Sequence, residues 1–146
     1  MQSENTYKAR RKSVERIEME NLVDNADFRQ RNVDSVPRGW IFFAPRQEVA
    51  PNAAFDPSVR RGGEGSLKIW GNGDQLAFGA WMTQVRLVPE MYYRGSVYFR
   101  CDRIDDPNLC VLINLHWGDE SRLIREEYFS ELTPVENGWI KAEHLF

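Results

Sequence analysis

Tyr98, Arg94, Arg100, Asn114, His116, Gln84, Arg86 and Trp70 carry the groups best suited to recognising a ligand. On alternating strands they take the polar phases. Arg94, Ser96, Tyr98 and Arg100 share one run, Leu112, Asn114 and His116 a second, and Ala80, Met82, Gln84 and Arg86 a third. Trp70 and Tyr92 also take outward phases. Aromatic faces accept C–H patches, and planar amide, imidazole and guanidinium groups hydrogen-bond hydroxyls. Such a set recognises a ligand and does not transform it. The same residues also suit an ordinary solvated sheet face.

Nothing in the chain assembles a reaction. There is no phosphate-cradling glycine loop followed by Lys, no dinucleotide fingerprint, no H-E-x-x-H and no G-x-S-x-G. Gly71-Asn72-Gly73-Asp74 reads as a hairpin turn. Glu126 and Glu127 are adjacent, so a strand sends them to opposite faces and they form no acid–base pair. Asp102, Asp105 and Asp106 lie with Pro107 and Asn108 in one loop, read as a turn, with a calcium loop as the alternative. His116 and His144 are the only histidines, too few for a metal constellation.

These side chains need strands to place them. Gly39–Phe43, Ser66–Trp70, Ala80–Leu87, Tyr93–Cys101, Cys110–Trp117, Leu123–Leu132 and Gly138–Phe146 read as extended segments between Gly, Pro, Asn and Asp clusters. No long segment carries a helical period. The expected fold is all-β, an antiparallel β-sandwich. Tyr93, Gly95, Val97, Phe99 and Cys101 should face the core, as should Val111, Ile113, Leu115 and Trp117, and Trp81, Thr83, Val85 and Leu87.

The chain has 146 residues, 42% of them hydrophobic and 12% aromatic, with a net charge of −3. That suits one globular domain with a sizeable core and disfavours a nucleic-acid partner, which calls for a clustered positive excess. Residues 1–20 form a polar tail holding the basic run Lys8–Lys12, with Ile17 and Met19 as a possible start of a first strand. No apolar run spans a membrane, and no secretion signal is visible in the tail. Cys101 and Cys110 are too few for a disulfide scaffold and read as buried free thiols, with pairing in an oxidising compartment as the alternative.

Four motifs occur in order: Asn21-Leu22-Val23-Asp24-Asn25-Ala26-Asp27-Phe28 with Pro37-Arg38-Gly39-Trp40; Gly62-Gly63-Glu64-Gly65-Ser66-Leu67-Lys68-Ile69; Val85 to Ser96, with Pro89 leading into Tyr92-Tyr93; and Asn137-Gly138-Trp139. Over residues 21–146 this resembles the jelly-roll carbohydrate-binding modules appended to xylanases, cellulases and related hydrolases, a galactose-binding-like sandwich. Phe28, Trp40, Leu67, Ile69, Tyr93 and Trp139 are then core anchors, each contributing roughly 1.5–3 kcal/mol by burial.

The resemblance implies a non-catalytic module that binds a polysaccharide or glycan through Tyr98, Arg100, Asn114, His116, Gln84, Arg94 and Trp70, with a catalytic domain as its partner. It implies an extracytoplasmic location. Family members hold a structural calcium, which no residues here can be assigned to. They also continue past the late Gly-Trp strand, so the expectation is either a piece of a longer chain or an open apolar edge near Phe146. The competing expectation is a structural or interaction domain of a larger hydrolase, such as a carbon–nitrogen hydrolase, in which the polar face is unused.

Overall fold

Short alternating segments bounded by Gly and Pro give nine strands in a computed structural model, which describes residues 20–119 and 122–146. The basic run and the proposed strand start at Ile17 lie outside the described residues. In chain order the strands are β1 (Trp40–Phe43), β2 (Asn52–Asp56), β3 (Ser66–Trp70), β4 (Ala80–Thr83), β5 (Arg94–Phe99), β6 (Asn114–Asp119), β7 (Arg122–Tyr128), β8 (Glu131–Pro134) and β9 (Ile140–Leu145), with one helical turn, α1 (Pro107–Cys110), before β6. The chain is all-β. The ladders β1–β4, β5–β9, β8–β9 and β6–β7 are antiparallel. No described helix is long and apolar enough to cross a membrane.

The chain divides into two compact units, one built from residues up to Phe55 and from Leu67–Val85, the other from Asp56–Ser66 and Arg86–Phe146. In the first unit β1 pairs with β4, setting Phe42 opposite Trp81 and Ile41 opposite Met82. Phe42 and Trp81 pack ring to ring at 5.4 Å, and Trp40 meets Phe28 edge-on at the same distance. The segment Asn21–Arg38 is tied by one amide. Asn25 donates to the carbonyls of Gln30 (2.8 Å) and Arg38 (2.9 Å) and accepts from the Gln30 N–H (3.0 Å). Its φ of 52° lies in the left-handed region, which Asn tolerates better than most residues. The first motif is therefore a structural device. Asn25→Ala should lower unfolding free energy by about 2 kcal/mol, read from urea denaturation, because it orphans backbone groups and strains the turn.

The second unit holds a three-stranded sheet in the order β5-β9-β8 and the two-stranded β6–β7 sheet. The register places Gly95, Val97 and Phe99 on one face with His144, Ala142 and Ile140, and Leu132 beside them on β8. Ala142, on the central strand, is wholly buried. The opposite face carries Arg94, Ser96 and Tyr98 of β5 alongside Leu145, Glu143 and Lys141 of β9. Gly95 sits under two rings: a Cβ there would meet Phe129 Cζ at 2.5 Å and Phe146 Cε1 at 3.0 Å. Gly95→Ala should cost about 1–3 kcal/mol by overpacking, seen as a lowered melting temperature.

Several expectations are corrected. Val97 is 40% exposed, because β5 is an edge strand shielded on one side only, whereas Ile113 stays half-buried as expected. Ile69 is exposed for the same reason, β3 having β2 as its single ladder neighbour. Trp139 is the expected anchor that is buried. The strand expected through Leu87 ends at Thr83, although Trp81, Thr83, Val85 and Leu87 remain more buried than the residues between them. The turn α1 replaces the expected start of β6: Asp106 caps it by accepting from the Asn108 N–H (2.9 Å), and Pro107 supplies the first helical position. Gly71–Asp74 is not a hairpin turn, since β3 and β4 pair with different strands; Asn72 instead donates to the Ala50 carbonyl (2.8 Å). β2 has no counterpart in the sequence expectations.

Both cysteines are free thiols, but Cys110 is exposed, carried to the surface by α1. Burial pushes the Cys101 thiol up, and Cys110 adds to the shift. Thiolate is the reactive form, so a small alkylating agent at mildly alkaline pH should label Cys110 several-fold faster than Cys101, as peptide mass mapping would show.

Candidate functional site

The β6–β7 hairpin is the element that gathers chemistry. Its alternation is complete from Val111 to Trp117, with apolar residues half-buried and Leu112, Asn114 and His116 exposed. Pairing sets Asn114 opposite Tyr128 and His116 opposite Glu126, so four polar or aromatic side chains share the outer face. They are joined in series. The Asn114 amide lies 2.8 Å from His116 Nε2, His116 Nε2 lies 3.2 Å from Glu126 Oε1, and the Tyr128 hydroxyl donates to Glu126 Oε2 at 2.8 Å. Nε2 serves one partner at a time: unprotonated it accepts the Asn114 Nδ2–H, and protonated it donates to Glu126. The network therefore presents donors and acceptors in adaptable positions, as hydroxyl recognition requires.

Tyr128 is 49% exposed, so its ring offers a flat apolar surface beside those polar groups. Its phenol is held above the ordinary tyrosine value, first by the hydrogen bond to Glu126 and second by that carboxylate's charge. The raised value keeps the proton on the hydroxyl, so the contribution of this bond is intact below the ordinary phenol range and is lost as pH rises through the shifted value. Tyr128→Phe should remove from the ultraviolet phenol titration a step displaced to the alkaline side of the ordinary tyrosine range.

The three-stranded sheet carries a second cluster on its outer face. The Arg61 guanidinium stacks on Tyr98 at 3.8 Å from the ring centroid, and Lys141 lies 5.9 Å from the same ring. Arg61 is paired with Glu136 (2.9 Å) and Lys141 with Glu143 (2.6 Å). The backbone hydrogen bond at Glu136, with Arg61 adding to it, holds that carboxyl below the usual range. Arg100 faces Trp139 at 6.0 Å. Tyr98 is 36% exposed, with one ring face occupied by Arg61.

The sequence-derived residues thus occupy separate places. Asn114 and His116 come together on β6. Tyr98 and Arg94 lie on β5, and Arg100 follows it, in a different sheet with no ladder to β6. Trp70, 44% exposed at the end of β3, and Gln84, just past β4, belong to the first unit; Arg86 opens the last segment of the second. Within the second unit the candidates therefore lie on two elements, the β6–β7 hairpin and the β5-β9-β8 sheet. Glu126 and Tyr128 were not among the sequence candidates. Only cross-strand register brings them to Asn114 and His116, and the one available signal was the i, i+2 spacing of the two residues in a strand.

The opposite face of the hairpin packs inward. Glu127 accepts from Trp117 Nε1 (2.9 Å) and from His144 Nε2 (2.9 Å) and is ion-paired with Arg125. Asp106 is spent on capping α1, and among the described residues no three His, Cys, Asp or Glu side chains group as a metal ion requires. No protein-family model matches the chain, and searches of curated proteins and of solved structures return no match.

Proposed function

We propose that the chain is a non-catalytic carbohydrate-binding module that holds an attached hydrolase against a polysaccharide or glycan. The observation that carries this reading is an exposed aromatic, Tyr128, directly across the ladder from Asn114 and two residues from Glu126 in a network with His116. A sugar ring lies on the Tyr128 face and exchanges hydroxyl hydrogen bonds with Asn114, His116 and Glu126. Binding raises the local concentration of substrate around the partner domain and changes no bond. The resemblance in the four ordered motifs supports the same reading.

A specific observation favours the competing interaction-domain reading. In β1–β4 the register places Ile41, Phe43 and Met82 on one face, and all three are exposed. Near Phe146, by contrast, the expected apolar edge is limited: Leu145 is exposed, while Phe146 packs among Tyr93, Trp117, Phe129 and His144.

The test is retention of the purified chain on a panel of immobilised plant, fungal and bacterial polysaccharides and oligosaccharides. Retention on at least one, competed by the free sugar, supports the module reading. Retention on none, with the protein folded by circular dichroism, leaves the interaction-domain reading.

A further inference from the structure

A groove of about 180 Å³ opens beside Tyr128. Its half-buried walls include Phe99, Ile113, Phe129 and Leu132, all apolar. Its exposed rim includes Leu112, Tyr128, Asn108 and Ser130. The side chains of Asn108 and Ser130 take part in no hydrogen bond within the described structure, while the Asn108 backbone N–H is used by the Asp106 cap. The groove thus combines an apolar interior with two uncommitted polar groups, one an amide and one a hydroxyl, next to the ring on which a sugar would stack.

We infer that this groove receives the acetamido group of a 2-acetamido sugar whose ring lies on Tyr128. The inference rests on the glycan-binding reading and names its ligand class. An acetamido group has one N–H, one carbonyl and a terminal methyl. The methyl gains from leaving water for the Phe99, Ile113, Phe129 and Leu132 walls. The amide needs a donor and an acceptor at the mouth, which Asn108 and Ser130 both supply. A plain hydroxyl at the same sugar carbon reaches neither and leaves the apolar walls hydrated. Tyr128 links the two halves of the site, because its ring borders the groove and its hydroxyl belongs to the Asn114–His116–Glu126 network.

Calorimetric titration compares the β1,4-linked trisaccharide of N-acetylglucosamine with that of glucose. These share linkage and length and differ in the acetamido group. The N-acetylglucosamine trisaccharide should bind about tenfold tighter, equivalent to about 1.4 kcal/mol. Leu112→Trp, a change at an exposed rim position, should fill the groove and abolish that preference. Asn108→Ala should reduce the preference several-fold. Equal affinities for the two sugars, or a preference that survives both substitutions, overturn the acetamido assignment and leave glycan binding standing. Binding of neither overturns the assignment as well, and the immobilised panel then decides the broader reading separately.

Discussion

Phe146→Ala should lower the unfolding free energy by about 3 kcal/mol, measured by denaturant titration with tryptophan fluorescence. The Phe146 ring lies 5.6 Å from Trp117, 6.3 Å from Phe129, 6.4 Å from Tyr93 and 5.9 Å from the His144 imidazole, so one side chain joins strands β6 and β9, the residue that precedes β5 and the segment after β7. Its backbone pairs twice with Tyr93, as donor at 3.0 Å and acceptor at 2.8 Å. The backbone pair survives truncation, so the loss comes from buried area and from the space left among four rings. The Trp117 emission should shift to the red in the folded variant. A change under about 0.5 kcal/mol would mean that the rings do not form the core of the second unit.

Glu127→Ala should cost about 2–3 kcal/mol, and Glu127→Gln distinctly less. The Glu127 carboxylate is only 14% exposed and is met by Trp117 Nε1, His144 Nε2 and Arg125. Removing it leaves an indole N–H, an imidazole and a guanidinium without their acceptor in a partly dry site, and the desolvation of such groups is what the variant would reveal. Glutamine keeps one carbonyl acceptor for the Trp117 N–H and surrenders the charge. Phe146 and Glu127 share the partners Trp117 and His144, so the double variant should be less destabilised than the sum of the singles. Equal losses for Ala and Gln would assign the effect to charge alone.

The local half of this architecture was legible in the sequence. Alternation identified the inward faces of Val111–Trp117 and Trp81–Leu87, because side-chain direction in an extended chain follows from position alone. Trp139 was readable as an anchor beside Asn137-Gly138, where both residues adopt positive φ. Strand β2 escaped because Asn52-Ala53-Ala54-Phe55-Asp56 carries neither alternation nor β-branched residues, and its partner β3 supplies the ordering. Val97 shows the correct phase with the wrong burial, since phase is local and shielding depends on neighbouring strands.

The candidate site divides in the same way. Asn114 and His116 were visible as an outward pair two residues apart. Glu126 and Tyr128 were not, because the β6–β7 register, with its shift between Trp117 and Gly118, decides which residues of β7 stand opposite. Tyr98 was readable as an outward aromatic, but Arg61, remote in sequence, already occupies one face of its ring.

Sugar binding on the Tyr128 face of the β6–β7 hairpin, as proposed, is tested by affinity electrophoresis of Tyr128→Ala and Tyr98→Ala beside the parent chain, in a gel containing the polysaccharide that retards the parent best. Tyr128 is an exposed side chain, so its removal should leave the melting temperature within about 2 °C while weakening retardation at least tenfold, and Tyr98→Ala should change it less than about threefold. Full retardation of a folded Tyr128→Ala protein would contradict the account.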